Sequence, residues 1–253
     1  MVNMTRNIQF KKLFFVFLFF GLMNYCFKEK KIEFDSNDPV AMAKEAERLS
    51  DEFFEKNEEK WQQAYELARK AYELNDKDKT TIRSWSLLLS ERAHINFMNK
   101  KFDDAIKYAK EAFKIDKKND AAINTLSASY YLKGDLKEAL EYALEFLKQH
   151  TEDYTAWGEA GKMYYELKKY EKAIKYLDKA LELIRGKEDD KQLIAYNYFI
   201  GISYYRTGEL KKSAYYLEKF LDLLKKNNLE KTLKYKDGVE DADFIIKRAG
   251  NSK

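Results

Sequence analysis

A pattern thirty-four residues long recurs through residues 45–227. It is plainest where Gly161, Tyr164, Tyr170, Ala173 and Ala180 are answered by Gly201, Tyr204, Leu210, Ser213 and Phe220. Repetition at this period marks small supersecondary units that cannot bury an apolar face alone and therefore stack on one another. Reading in that frame places units at 45–78, 86–119, 120–153, 154–187 and 194–227.

The second half of each unit carries one apolar stripe at helical spacing. The stripes are Trp61, Ala64, Ala68, Ala71; Phe102, Ala105, Ala109, Ala112; Leu136, Ala139, Ala143, Phe146; Tyr170, Ala173, Leu177, Ala180; and Leu210, Ser213, Leu217, Phe220. Residues at such offsets share one face of a helix. The recurring Ala or Ser stands where two helices of a hairpin approach closely. A single Pro and nine Gly, with heavy use of Leu, Ala, Glu, Lys and Tyr, agree with an all-helical chain.

The period and these residue types resemble tetratricopeptide repeats. The resemblance implies an all-α, right-handed superhelical solenoid of about five helical hairpins, with a concave face lined by the first helix of each. The chain departs from the family in making its turns without proline, at Asn75-Asp76, Asp116-Lys117 and His150-Thr151. Seven extra residues at 79–85 and six at 188–193 lead into apolar helical sequence and are expected to lengthen the first helices of units two and five. Unit one carries Glu52 where the family has a small residue.

The folded part is expected to start at Asp38-Pro39, an N-cap followed by a proline at the first helical position. Helical spacing then runs through Ala43, Ala46, Leu49 and Phe53. A stack of repeats leaves an apolar end that needs a cover, and residues 237–248 supply a candidate helix. There Val239, Ala242, Ile246 and Ala249 align, Asp237 and Glu240 form a capping box, and Lys247 and Arg248 suit the helix C-terminus.

Carried over residue by residue, the family's groove positions fall on Phe53 and Lys56; on His94, Phe97 and Met98; on Asn124, Ser129 and Tyr131; on Glu159, Lys162 and Tyr165; and on Tyr198, Ile202, Tyr205 and Arg206. An aromatic recurs at Phe97, Tyr131, Tyr165 and Tyr205. Such a ladder suits an extended segment carrying apolar side chains, because rings bring large contact area with little rotamer entropy to lose. Packing within each hairpin is the competing explanation. Asn124 and Lys162 match part of a carboxylate-gripping clamp known in the family, but Glu159 beside them argues against one.

Residues 1–25 have the layout of an export signal: basic residues ending at Lys11 and Lys12, an apolar run over 13–23, then the lone Cys26. An uncleaved anchor is the alternative. Thirteen helical residues would reach only about 20 Å against a hydrocarbon core of about 30 Å. Leu22-Met23-Asn24-Tyr25-Cys26 resembles the lipobox of bacterial lipoproteins, although Tyr25 stands where that family prefers a small residue. The resemblance implies lipidation at Cys26, with residues 26–37 as a polar tether; the alternative is an ordinary signal peptide with an incidental thiol.

The formal net charge of +4 falls to +1 once residues 1–25 are removed, and Lys and Glu alternate along the same helices. No basic face is segregated for nucleic acid. His94 and His150 stand apart with no ligand spacing, so neither a metal nor a cofactor is expected. Asp103-Asp104 and Asp189-Asp190 fall at helix starts, where acids stabilise the helix dipole, and no nucleophile has a positioned base. The sequence therefore points to a non-catalytic adaptor of the bacterial cell envelope, tethered to the membrane and binding a protein or peptide partner. The alternatives are a structural lipoprotein whose groove takes a second copy of the chain and, behind it, an envelope enzyme.

Overall fold

The computed structural model describes residues 37–54, 56–187 and 189–251. The export segment, Cys26 and the tether up to residue 36 lie outside them, as does the Phe53 side chain. The described residues form eleven α-helices and one short 3-10 turn. These are α1 (Pro39–Phe53), α2 (Glu58–Leu74), α3 (Lys79–Met98), α4 (Phe102–Ile115), α5 (Asp120–Lys133), α6 (Leu136–Gln149), α7 (Tyr154–Glu166), α8 (Tyr170–Leu183), α9 (Asp190–Arg206), α10 (Leu210–Lys226), the turn Leu233–Tyr235, and α11 (Lys236–Asn251). None of these helices is long and apolar enough to cross a membrane.

Two kinds of turn alternate along the chain. Each first helix opens on an Asp or Asn whose side chain accepts from an amide of the first turn: Asp38, Asp78, Asn119, Asp153 and Asp189. That cap meets amides that have no partner inside the helix, and of the five only Asp38 is followed by a proline. Within four hairpins the chain reverses through a residue in the left-handed region: Lys100 (φ 59°), Gly134 (86°), Lys168 (57°) and Gly208 (87°).

Successive helices pack as hairpins, α1 on α2 through α9 on α10, and each hairpin packs on the next. The close approach within a hairpin rests on small residues. A Cβ added to Gly161 would stand 2.7 Å from Leu177 Cγ, and one on Gly201 would stand 2.6 Å from Leu217 Cγ. Ala64, Ala68, Ala105, Ala109, Ala139, Ala173 and Ser213 are fully buried at the matching crossings. First helices also touch one another, α1 on α3, α3 on α5 and α7 on α9, whereas no two second helices pack to that extent. The first helices therefore line the inner, concave side of an α-solenoid.

Residues 79–85 are all helical and make α3 twenty residues long, and residues 190–193 form the first turn of α9. The first hairpin corrects the frame of unit one. Seven residues, 54–60, separate α1 from Trp61, against three between α7 and its counterpart Tyr170. The helix therefore sits about one turn earlier in the sequence. Glu52 is exposed, and the closely packed positions of α1 are Ala43, Ala46 and Ser50.

The cap α11 packs on α10, but its buried face is centred on Ala242 and Ile245, with Val239 and Ile246 at its margins. Asp237 lies inside the first turn and does not serve as N-cap, because the helix continues directly from the turn at Leu233–Tyr235.

Candidate functional site

The concave side opens where first helices draw apart. α5 and α7 do not share the direct packing seen between α1 and α3 or α3 and α5. A cleft of about 400 Å3 lies there, lined by Asn124, Ser127 and Tyr131 from α5 and by Thr155, Glu159 and Lys162 from α7. A second cleft, of about 510 Å3, lies between α7, α9 and the cap. Its walls include Tyr198 and Phe199 from α9, Phe220 from α10, Tyr235 from the turn before the cap, and Gly238 from the cap. The two clefts share Glu159 and Lys162, so they adjoin along one groove. Both volumes fall in the range of about 300–1,000 Å3 typical of ligand sites.

The aromatic positions occupy this side as separate joints between elements. Phe97 contacts His94 at 6.5 Å and Phe102 of its own hairpin at 5.9 Å between ring centres. Tyr131 donates to Glu166 Oε1 at 3.3 Å, and the Lys162 ammonium lies 4.8 Å from its ring centre. Tyr165 packs on Phe199 at 4.9 Å and on Tyr170 at 6.0 Å. Tyr198 packs on Phe220 at 5.2 Å and donates to Asp241 Oδ2 at 3.2 Å. Tyr205 accepts from Arg248 of the cap at 3.1 Å. Tyr131, Tyr165, Tyr198 and Tyr205 thus link each hairpin to the next element while leaving part of each ring exposed.

Burial raises the phenol pKa of Tyr131, Tyr165 and Tyr198 above its ordinary value. All three are neutral near pH 7; the Tyr131 and Tyr198 protons are given to Glu166 and Asp241, which leaves those phenol oxygens as acceptors. Around them stand charges of both signs, Lys162, Lys191 and Lys234 against Glu159 and Asp237. With apolar ring surface below and mixed charge at the rim, the groove suits a peptide-like segment better than a uniformly charged polymer.

Two expected groove residues lie elsewhere. Ser129 is fully buried, and Ile202 is 5% exposed and packs under Ala242 and Ile245 of the cap. Asn124 and Glu159 are exposed and line the first cleft, whereas Lys56, His94 and Met98 are exposed toward the N-terminal half. Phe199, Tyr235 and Gly238 went unrecognised in the sequence as wall residues. The one available signal was Gly238, a glycine within a helical pattern, where a Cβ would come within 3.2 Å of Tyr198.

Among the described residues no cluster of three His, Cys, Asp or Glu side chains is placed to hold a metal ion. His150 pairs with Asp120 at 2.8 Å. Asp103 and Asp104 stand in the first turn of α4; Asp189 caps α9, and Asp190 is held by Lys226 at 2.8 Å.

Residues 152–226 match the family model of the tetratricopeptide repeat, and residues 98–180 match that of anaphase-promoting complex, cyclosome, subunit 3. The fold is similar to several solved structures. YrrB, a TPR protein with an unusual peptide-binding site, is 16% identical with a TM-score of 0.56, over 77% of this chain and 91% of that one. BtubC from P. vanneervenii is 18% identical with a TM-score of 0.57, over 76% and 84%. MamA from Desulfovibrio magneticus RS-1 is 18% identical with a TM-score of 0.52, over 73% and 96%. At these identities the likeness speaks for the fold alone. The match over residues 152–226, with the stacked hairpins and their small-residue crossings, supports a tetratricopeptide-repeat protein.

Proposed function

We propose that the chain is a non-catalytic adaptor of the bacterial cell envelope, holding an extended segment of a partner protein along the concave face of its C-terminal half. One observation carries this reading: the two adjoining clefts that share Glu159 and Lys162 and are floored by ring surface. A segment lying across them buries one apolar side chain in each, while its backbone N–H groups meet phenol oxygens and the charged rim. The peptide-binding site described for YrrB, a protein of similar fold, supports the same use of this architecture.

Affinity capture from solubilised membranes of the source organism tests the groove, comparing the chain with a Glu159→Ala, Lys162→Ala double variant. Both side chains line the clefts without filling the core. The reading expects a partner enriched by the first and lost with the second; equal enrichment by both contradicts it.

Placement in the envelope rests on the sequence of residues 1–26, with Cys26 as the lipidated residue. Two or more acyl chains on it would hold the protein stably at a membrane. Metabolic labelling with a radioactive fatty acid tests this. Label is expected on the wild type and lost, together with membrane retention, in Cys26→Ala; label that persists in the variant contradicts it.

A further inference from the structure

On the outer side of the last two hairpins a cleft of about 820 Å3 runs between α8 and α10, with Leu193 and Asn197 of α9 along its wall. Its origin is one position of the repeat. Four residues before the small residue of each first helix stand Leu89, Ile123, Trp157 and Asn197, ahead of Ala93, Ser127, Gly161 and Gly201. Leu89 and Ile123 are fully buried. Trp157 lays its ring on Tyr176 at 5.3 Å and donates its indole N–H to the Thr151 carbonyl at 2.8 Å. Only the last unit has a small polar residue here.

The surroundings of the Trp157 ring are repeated around Asn197. Tyr216 is the counterpart of Tyr176, and its contact with Tyr204, 5.6 Å between ring centres, matches that of Tyr176 with Tyr164 at 4.8 Å. The last unit has no ring in the place of Trp157; Tyr215, which also lines the cleft, meets Tyr216 edge-on at 5.2 Å between ring centres. Asn197 is 4% exposed, and its Nδ2 donates to the Leu193 carbonyl at 2.7 Å, which fixes the orientation of the amide. Its Oδ1 has no hydrogen-bond partner. A buried acceptor in that state is costly, and such groups are rare in folded proteins. Leu181, Ile184 and Leu223 add apolar surface, with charged side chains such as Asp178, Arg185, Lys219 and Asp222 among them.

We propose that this cleft receives a tryptophan side chain presented by another protein. Its ring lies against Tyr216 as that of Trp157 lies against Tyr176, and its indole N–H donates to Asn197 Oδ1. The unmet acceptor calls for a ring that carries a donor, which excludes phenylalanine. A second copy of this chain does not supply it: of the three tryptophans, Trp61 and Trp85 are buried and Trp157 is held in its own hairpin. The site is on the face opposite the groove and stands independently of the adaptor reading.

The test is a titration of the full chain with an N-acetylated, C-amidated Gly-Trp-Gly peptide carrying 5-fluorotryptophan, followed by fluorine NMR. Saturable binding is expected, about five- to tenfold weaker for the indole N-methylated peptide because the hydrogen bond is lost. Asn197→Trp, which supplies the ring internally, is expected to raise Tm and abolish binding. Asn197→Ala keeps the space but removes the acceptor, so it should bind both peptides alike. The proposal is overturned by an absence of saturable binding, by undiminished binding to Asn197→Trp, or by an Asn197→Ala protein that still prefers the free indole N–H. Free 5-fluorotryptophan binding as tightly as the peptide would assign the cleft to a small molecule and overturn the protein partner.

Discussion

The Lys162 ammonium lies 4.8 Å from the centre of the Tyr131 ring, across the gap between α5 and α7. Tyr131 spans the same gap in the other sense by donating to Glu166. The widest part of the concave face is thus held by side chains that also face the cleft, and their structural and binding roles separate by substitution.

Tyr131→Ala removes a half-buried ring and both links, and is expected to lower stability by about 1–2 kcal/mol. Lys162→Ala removes only an exposed cation–ring contact and should change stability by no more than about 1 kcal/mol. Both should weaken partner binding. Urea unfolding beside a binding assay on each variant checks the distinction.

Gly201→Ala puts a Cβ 2.6 Å from Leu217 Cγ, at a crossing where Leu217 is fully buried. The hairpin must spread to admit it. A loss of about 1–3 kcal/mol is expected from overpacking, read as a lower Tm by calorimetry, with Gly161→Ala behaving alike against Leu177.

Lys168 holds φ 57° at the turn where the next hairpin uses Gly208 at 87°. A side chain in that region is strained, and glycine relieves the strain at some cost in unfolded-chain entropy. Lys168→Gly is expected to stabilise by about 0.5–1 kcal/mol in chemical denaturation.

Glu91 is enclosed by the first hairpin, accepting from Ser50 Oγ and from Trp61 Nε1, the latter at 2.8 Å. Burial, reinforced by Asp51 and opposed by these two donors, raises its pKa above 4.5. Between the unfolded value and this raised one, the folded protein keeps a proton that the unfolded chain has released. The stability this contributes is full below about pH 4.5 and is lost as pH rises through the folded value. Glu91→Gln keeps an acceptor without the charge. Its Tm should exceed that of the wild type at pH 7.5, with the gap closing toward pH 4.5; a gap that does not change with pH would contradict the assignment.

Hairpin order was legible in the sequence because a close helix crossing tolerates few residues. Gly161, Gly201 and the buried alanines therefore recur in register. The first hairpin was misframed at Glu52 because its longer connection shifts α1 against α2, and a fixed period cannot see loop length. Of the groove residues, Ser129 failed for a rotational reason. It stands two residues from Tyr131, about 200° around the helix, and cannot share its face. Ile202 shares the face of Tyr198 but is covered by the cap, whose buried side turned on Ile245. The wall formed by Phe199, Tyr235 and Gly238 exists only through packing between distant parts of the chain.

Site-specific photo-crosslinking in the source organism tests the central claim most directly. A benzophenone side chain is placed at Asn124 or Glu159, both exposed within the first cleft, and at Lys70 or Lys137, exposed on the second helices. The account predicts adducts to one partner protein from positions 124 and 159 and none from 70 and 137. Adducts confined to the outer positions would remove the concave face from the function of this chain.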